Sequence, residues 1–508
     1  MGRKKKVKPK KSKSVVNIHN IIEKEIKDND LRECFSNQVI KYAESIANKA
    51  LSDHEDFTHI PFITIDGQFS RDFDDAIYVK INENSCDIYV AIADVSHFVK
   101  PNDLVDLEAK KRANSFYFPD RVLPMLPSIL SNDTCSLLPN KSRACLMIKS
   151  NINLNGKVNF SEIKRVKIKS VARLNYEDVE KHLKRIIQFS SDLGILLNDT
   201  FKAYKILKKS SDLRAKLNFN AESFDIQIQA SKFKIKKKNS LISEKIVEEL
   251  MIHANVTVAR FLLKKKIESY FRNHEEPSDE KINKFQIFCD QNFINFSPGK
   301  KISQKDFIAL IESSPMNKKI FIDFILKSQS KAYYDPKNKG HFGLSLDKYV
   351  HFTSPIRRYS DLQVHRDIVI CMSNEKKEKD KVNHESICNH LTNKEKKAEK
   401  IERNILSKAC CLILTKQKKK KYKGYIDGFI EKGIFIKAFE LPFYGFQKFE
   451  SITDDFYIFD ENEQCAVGQK NGIIFKLGEK VTFKLKKINS NTGKILINGL
   501  KKEVDDKI

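Results

Sequence analysis

The stretch Ile63–Val79, ITIDGQFSRDFDDAIYV, decides how this 508-residue chain is read. Its two ends alternate apolar and polar residues as strands do. Between them lie Asp66, Asp72, Asp74 and Asp75, and Gly67 permits a turn. Four carboxylates crowded into one turn repel each other, a costly arrangement in a folded body unless a cation neutralises it. Hard oxygen ligands select magnesium, with manganese as the alternative ion. Magnesium takes only one or two carboxylates directly and leaves the rest of its shell to water and substrate phosphate. Four acids can therefore hold one or two ions and spare one acid to orient a water, which suits phosphodiester hydrolysis. The competing reading is a solvated acidic turn, and the flanking apolar strands argue against it. The D-x-D-x-D-G spacing of a calcium-binding EF-hand is absent.

A second constellation is HFTSPIRRYSDLQVHRDI, residues 351–368. Ser354 followed by Pro355 predicts a helix start, where backbone N–H groups attract phosphate. Arg357, Arg358 and Arg366 fall within ten residues, in a chain whose 93 basic residues include few arginines. An arginine fork is needed where a phosphate or carboxylate must be clamped in two places. The alternative is ion pairing with Asp361 or other acids, most plainly for Arg358 and Arg366. Tyr117, Tyr176 and Phe219 are aromatic candidates for stacking bases, against the plainer reading of core aromatics.

The whole chain carries a formal charge of +27, which points to a polyanionic partner, nucleic acid before membrane surface. No run is long and apolar enough to span a membrane, and the basic N-terminus lacks the apolar core of a signal peptide, so a cytoplasmic protein is expected. Ten scattered cysteines without a C-x-x-C pair read as reduced thiols. Residues 1–14 read as a basic disordered tail and 15–56 as a helical segment. A body of mixed sheet and helices follows over 57–414, then a Lys-rich linker at 415–421. Five short β-like runs between 422 and 498, including GIIFKL at 472–477, predict a small barrel, with a tail at 499–508. The expected class is thus α/β (α+β), with an all-β barrel at the C-terminal side.

These segments together resemble the RNase II/RNase R exoribonucleases and their RNB catalytic domain. The resemblance rests on TIDGQFSRDFDDA, VAIADVSHFV, FYFPDRVLPMLP, SNDTCSLLPN, IVEELMIHAN and HFGLSLDKYVHFTSPIRRYSDLQVHR, in that order. It implies processive, magnesium-dependent 3′-to-5′ hydrolysis of RNA to nucleoside 5′-monophosphates. By position it makes Asp66, Asp72 and Asp75 metal ligands, Asp74 the essential acid that organises the attacking water, and Arg357 the clamp on the scissile phosphate. It implies that Tyr117 and Phe219 bracket the stacked terminal bases and that Tyr176 and Glu249 lie near the reacting nucleotide, with Arg358 also at the RNA. The barrel resembles the ribosomal S-one-type OB-fold, with Phe435 as its stacking residue. Lys432 and Lys448 replace an aromatic and a histidine usual there, so weaker and more salt-dependent binding is expected.

Only about fifty residues precede Phe57, too few for the two cold-shock domains usual in that family. The expected partners are single-stranded RNA 3′ ends, structured RNA, and ribosomal or degradation-machinery contacts, for a monomer without a membrane. The second reading, of a different class, is an RNA-binding or scaffolding protein with a vestigial catalytic body. Metal-dependent RNA decay separates the two.

Overall fold

The computed structural model describes residues 17–217, 222–229, 232–297, 299, 302–373, 383–416 and 419–503. Two compact units emerge: residues 32–223 with 237–399, and a second gathering described residues from the stretches 1–31, 224–236 and 400–508. The predicted tail at 1–14 lies outside the described residues.

The first unit is built on a seven-stranded mixed sheet. Its strands are β1 (Glu55–Asp56), β2 (Ile63–Asp66), β3 (Asp75–Ile81), β4 (Ser85–Ala93), β7 (Ser142–Asn153), β8 (Val158–Lys169) and β9 (Ala172–Asn175); a separate two-stranded hairpin supplies β5 (Phe116–Tyr117) and β6 (Val122–Leu123). The sheet order is β1-β8-β7-β4-β3-β2-β9, antiparallel at its centre and parallel at both edges, where β1 pairs with β8 and β2 with β9. Val90, Ala91, Ile92 and Ala93 of β4 are all buried, so that end of the strand is covered on both faces. The helices Ser191–Leu213 and Ile242–Lys264 pack against β3 and β4 respectively.

One irregularity makes room for chemistry. β2 and β3 pair at Ile63 and Ile77. Beyond that pair the strands hand over to the loop 67–74, which carries Asp72 and Asp74 while Asp66 ends β2 and Asp75 begins β3.

In the second unit the strands Tyr422–Ile430, Gly433–Ala438, Tyr444–Lys448, Lys494–Lys502 and Lys480–Asn489 close into a barrel in that order. The barrel requires bare backbone where strands cross closely: a Cβ on Gly424 or Gly433 would strike the carbonyl oxygen of Lys437 or Gln447. Two expectations are corrected here. The run GIIFKL contributes Ile474–Phe475 to a separate three-stranded sheet with Tyr457–Asp460 and Cys465–Gly468, and the barrel instead uses Tyr444–Lys448. The last barrel strand also runs past 498, to Lys502. The helix His384–Lys416 extends into the start of the expected linker.

Candidate active site

A cleft of about 490 Å³ in the first unit is lined by Asp66, Asp72, Asp74, Asp75, Tyr117, Tyr176, Arg357 and Arg358, with Glu244, Glu248, Asn255 and His351 among its other walls. Segments far apart in sequence supply them. The parallel register of β2 with β9 sets Asp66 beside Asn175, so Tyr176, the first residue of the helix Tyr176–Leu183, opens next to the acidic loop. The β5–β6 hairpin swings Tyr117 over the loop, where its hydroxyl donates to Asp72 Oδ2 at 2.5 Å.

The loop is pinned at both ends. Arg173 Nη2 donates to the carbonyls of Gly67 and Gln68, each at 2.7 Å. Asp66 Oδ1 accepts from Gly67 N at 2.6 Å and from Ser70 Oγ at 3.0 Å. Buried Ser136 donates to the Arg71 carbonyl at 2.8 Å and accepts from Phe73 N at 3.1 Å. Neither Arg173 nor Ser136 stands out in the sequence; only their backbone partners reveal them.

Asp74, 4% exposed, is the deepest of the four acids. Its Oδ1 accepts from Ile356 N at 2.8 Å and its Oδ2 from Arg357 Nε at 3.3 Å. Burial pushes the Asp74 carboxyl well above its ordinary range, and the Arg357 charge opposes that rise. Asp75 is pushed up to about 7 by burial and then by the Asp66 charge, and burial raises Asp66 as well. The Tyr117 hydroxyl is raised by burial and by Asp72, so it stays a proton donor.

The arginine segment departs from expectation. Residues 355–357 form a turn closed by Arg358 N donating to Ser354 O at 2.9 Å, and the helix begins only at Tyr359. No helix N-terminus therefore stands at Ser354; the turn aims Ile356 N–H and Arg357 at Asp74 instead. Ser354 Oγ steadies Arg357 by accepting from Nη2 at 2.9 Å. Arg358 lines the cleft, yet its Nε and Nη2 both donate to Asp361, at 2.9 and 2.7 Å. Arg366 is no clamp: it pairs with Asp106 at 2.8 Å and donates to the Val99 carbonyl, buried away from the cleft.

Glu249 is corrected as well. It is buried in an ion pair with Lys216 at 2.9 Å, and its other oxygen accepts from Ser211 Oγ at 2.7 Å. On the same helix Glu244 and Glu248 line the cleft, whereas Glu249 does not. His351, also missed, is hydrogen-bonded through Nδ1 to Tyr334 OH at 2.8 Å, and burial, then Arg358, hold it well below its ordinary pKa, as a neutral ring. Phe219 lies outside the described residues. Phe435, half-buried on the outer face of the barrel, faces Phe446 across the strands with ring centroids 4.8 Å apart. Phe446 was not anticipated; it becomes visible only through that cross-strand register.

Among the described residues, no three carboxylate, imidazole or thiol groups converge into a ready ion cage. Asp66, Asp72 and Asp74 are each held by side-chain hydrogen bonds. The donor set nevertheless fits a magnesium ion, which needs only one or two direct carboxylates. Raised pKa values at Asp66, Asp74 and Asp75 mark the concentration of negative charge that a cation would relieve.

The RNB domain family matches residues 54–374. The chain is 32% identical over 479 residues to ribonuclease R of Escherichia coli (strain K12), a match that covers 90% of this chain and 59% of the relative. It thus spans about three fifths of that relative's length. Among solved structures, Mycoplasma genitalium RNase R in complex with ribose-methylated single-stranded RNA superposes with a TM-score of 0.90 at 28% identity, covering 95% of this chain and 78% of that one. The same protein in complex with double-stranded RNA gives a TM-score of 0.84 at 26% identity, over 95% and 83%. No described helix is long and apolar enough to cross a membrane.

Proposed function

Because the chain belongs to the RNB family and is similar to ribonuclease R, we propose that it is a magnesium-dependent, processive 3′-to-5′ exoribonuclease releasing nucleoside 5′-monophosphates. The observation that carries this reading is the meeting of the acidic loop with the arginine turn, Asp74 to Arg357 and Ile356, in one cleft. Asp66, Asp72 and Asp75 would hold the metal, which when bound would activate water and neutralise phosphate charge. Asp74 anchors the Arg357 guanidinium and has lone pairs left to orient a water. Arg357, held on two sides by Asp74 and Ser354, presents its remaining N–H groups to a phosphate, where charge grows in the transition state. Tyr117 and Tyr176 flank the acids with aromatic faces suited to terminal bases.

Single-stranded RNA 3′ ends are the proposed substrates, with structured RNA as a second class; the RNA-bound complexes of the Mycoplasma genitalium protein support both. We assign catalysis to the body over 57–414 and auxiliary RNA binding to the barrel over 422–498. A cytoplasmic monomer and contacts with ribosomes or degradation machinery belong to the same proposal. The test is a 5′-labelled single-stranded RNA incubated with magnesium or with EDTA. The expected result is conversion to a short 5′ end-product without intermediates, only with magnesium, while a circular RNA survives. Intact RNA that is still shifted on a native gel would instead favour a binding protein with a vestigial body.

A further inference from the structure

Between the sheet and the helix Ile242–Lys264 the chain makes a hairpin of Ser223–Gln229 and Lys232–Lys238. Its sequence alternates strictly. Phe224, Ile226, Ile228, Phe233 and Ile235 are half-buried on one face, while Ser223, Asp225, Gln227, Gln229, Lys232, Lys234 and Lys236 are exposed on the other. The hairpin stretch 224–236 groups with the barrel unit and not with the catalytic body, although it is inserted in the body's sequence.

The lysines divide sharply. Lys237 and Lys238, at the hairpin's end, are paired with Glu222 and Glu244. Lys232, Lys234 and Lys236 make no side-chain hydrogen bond or ion pair among the described residues, and Asp225 is the one acid on their face. Residues two apart on a strand stand about 6.7 Å from each other and point the same way. Three lysines are thus set at even spacing along one face of the strand, with Asp225 as the one acid on that face.

We propose that this row binds the phosphates of single-stranded RNA and so forms a second RNA-holding surface, made of residues that do not line the cleft. The inference rests on the exoribonuclease reading for its ligand. A phosphate on every nucleotide meets the row charge for charge, and the interaction needs no base contact, as an enzyme indifferent to sequence requires. The apolar face is half-buried while the lysine face is exposed to solvent.

The experiment compares the parent chain with the triple variant Lys232→Gln, Lys234→Gln, Lys236→Gln on a long and a short single-stranded RNA. For the long RNA, the slope of log affinity against log salt concentration is expected to fall in magnitude by about 2, from three lysines at about 0.7 each. KM on the long RNA should rise several-fold while kcat and turnover of the short RNA stay unchanged. Asp225→Asn, which removes the opposing charge, should tighten binding of the long RNA. An unchanged slope and KM on the long RNA would overturn the proposal, as would an equal loss on both RNAs, which would locate the effect in the fold or the cleft. A parent chain that neither binds nor degrades RNA would instead sink the exoribonuclease reading itself.

Discussion

At the scale of single residues, the proposed chemistry rests on the contact between Asp74 and Arg357. Asp74→Asn removes the charge that orients the guanidinium while keeping an oxygen for Ile356 N–H. It should abolish measurable RNA turnover and leave RNA binding and melting temperature nearly unchanged. Arg357→Ala should cost about 10²–10³ in kcat, the usual effect of deleting one donor to developing charge; rapid-quench assays on a short RNA measure both. A pH effect follows from Asp75. Its pKa rises from 3.8 unfolded to about 7 in the fold. Between those values the native state holds a proton the unfolded chain has lost, so this group makes the metal-free fold less stable as pH rises towards 7. Magnesium needs the ionised form, so its addition should raise the melting temperature more well above pH 7 than well below it. Thermal scans with and without magnesium check the sign. The four aspartates and Arg357 were legible because unusual residue types cluster within one motif. Arg358 was ambiguous, since its partner Asp361 lies in the same motif and only the geometry shows how fully it is engaged.

At the scale of elements, the helix Ile242–Lys264 shows why register matters. Glu248 and Glu249 are adjacent in sequence and about 100° apart around a helix. Both pair with Lys216, Glu248 at 2.6 Å and Glu249 at 2.9 Å, but only Glu248 also lines the cleft, while Glu249 is buried. The family resemblance pointed to Glu249, and the helix phase turns Glu248 to the cleft instead. Glu249 should therefore act through stability. Lys216→Met would strand a buried carboxylate and cost about 3–5 kcal/mol, read as a large fall in denaturation midpoint. Glu248→Gln removes one of the two partners of Lys216 but leaves Glu249 in place, so it should affect activity more than stability. The helix start misread at Ser354 has a similar cause. Ser-Pro is a good N-terminal pair, but here Asp361 takes the Ser354 backbone N–H at 2.8 Å and Asp74 takes that of Ile356. Distant carboxylates thus satisfy the donors a helix would otherwise have left free, and the chain can turn tightly for another four residues.

At the scale of the whole molecule, composition announced a nucleic-acid partner, and alternating runs separated a mixed α/β body from a β-barrel. What the sequence could not convey was membership. The hairpin 224–236 sits in the body's sequence but groups with the barrel, and Ile474–Phe475 looks like a barrel strand yet pairs elsewhere. The first is a matter of which unit the hairpin groups with, and the second of which neighbouring strand Ile474–Phe475 chooses, Cys465–Gly468; local pattern encodes neither. The barrel's part in function is testable through Phe435 and Phe446, whose rings lie against each other on its outer face. Phe435→Ala should weaken binding of long RNA by about 1–3 kcal/mol, if each ring stacks one base. Cleavage of a short RNA should not change; fluorescence anisotropy and end-point digestion read the two separately.

The contact between Asp74 and Arg357 also has a meaning in time. Their positions are 283 residues apart in the chain. At about 5–20 residues per second, a ribosome adds the arginine turn roughly 15–60 s after the acidic loop. Through that interval the newborn protein, tethered to the very messenger that encodes it, carries its acids without their anchor. It cannot complete the cleft, whatever ions surround it, until most of its own message has been read.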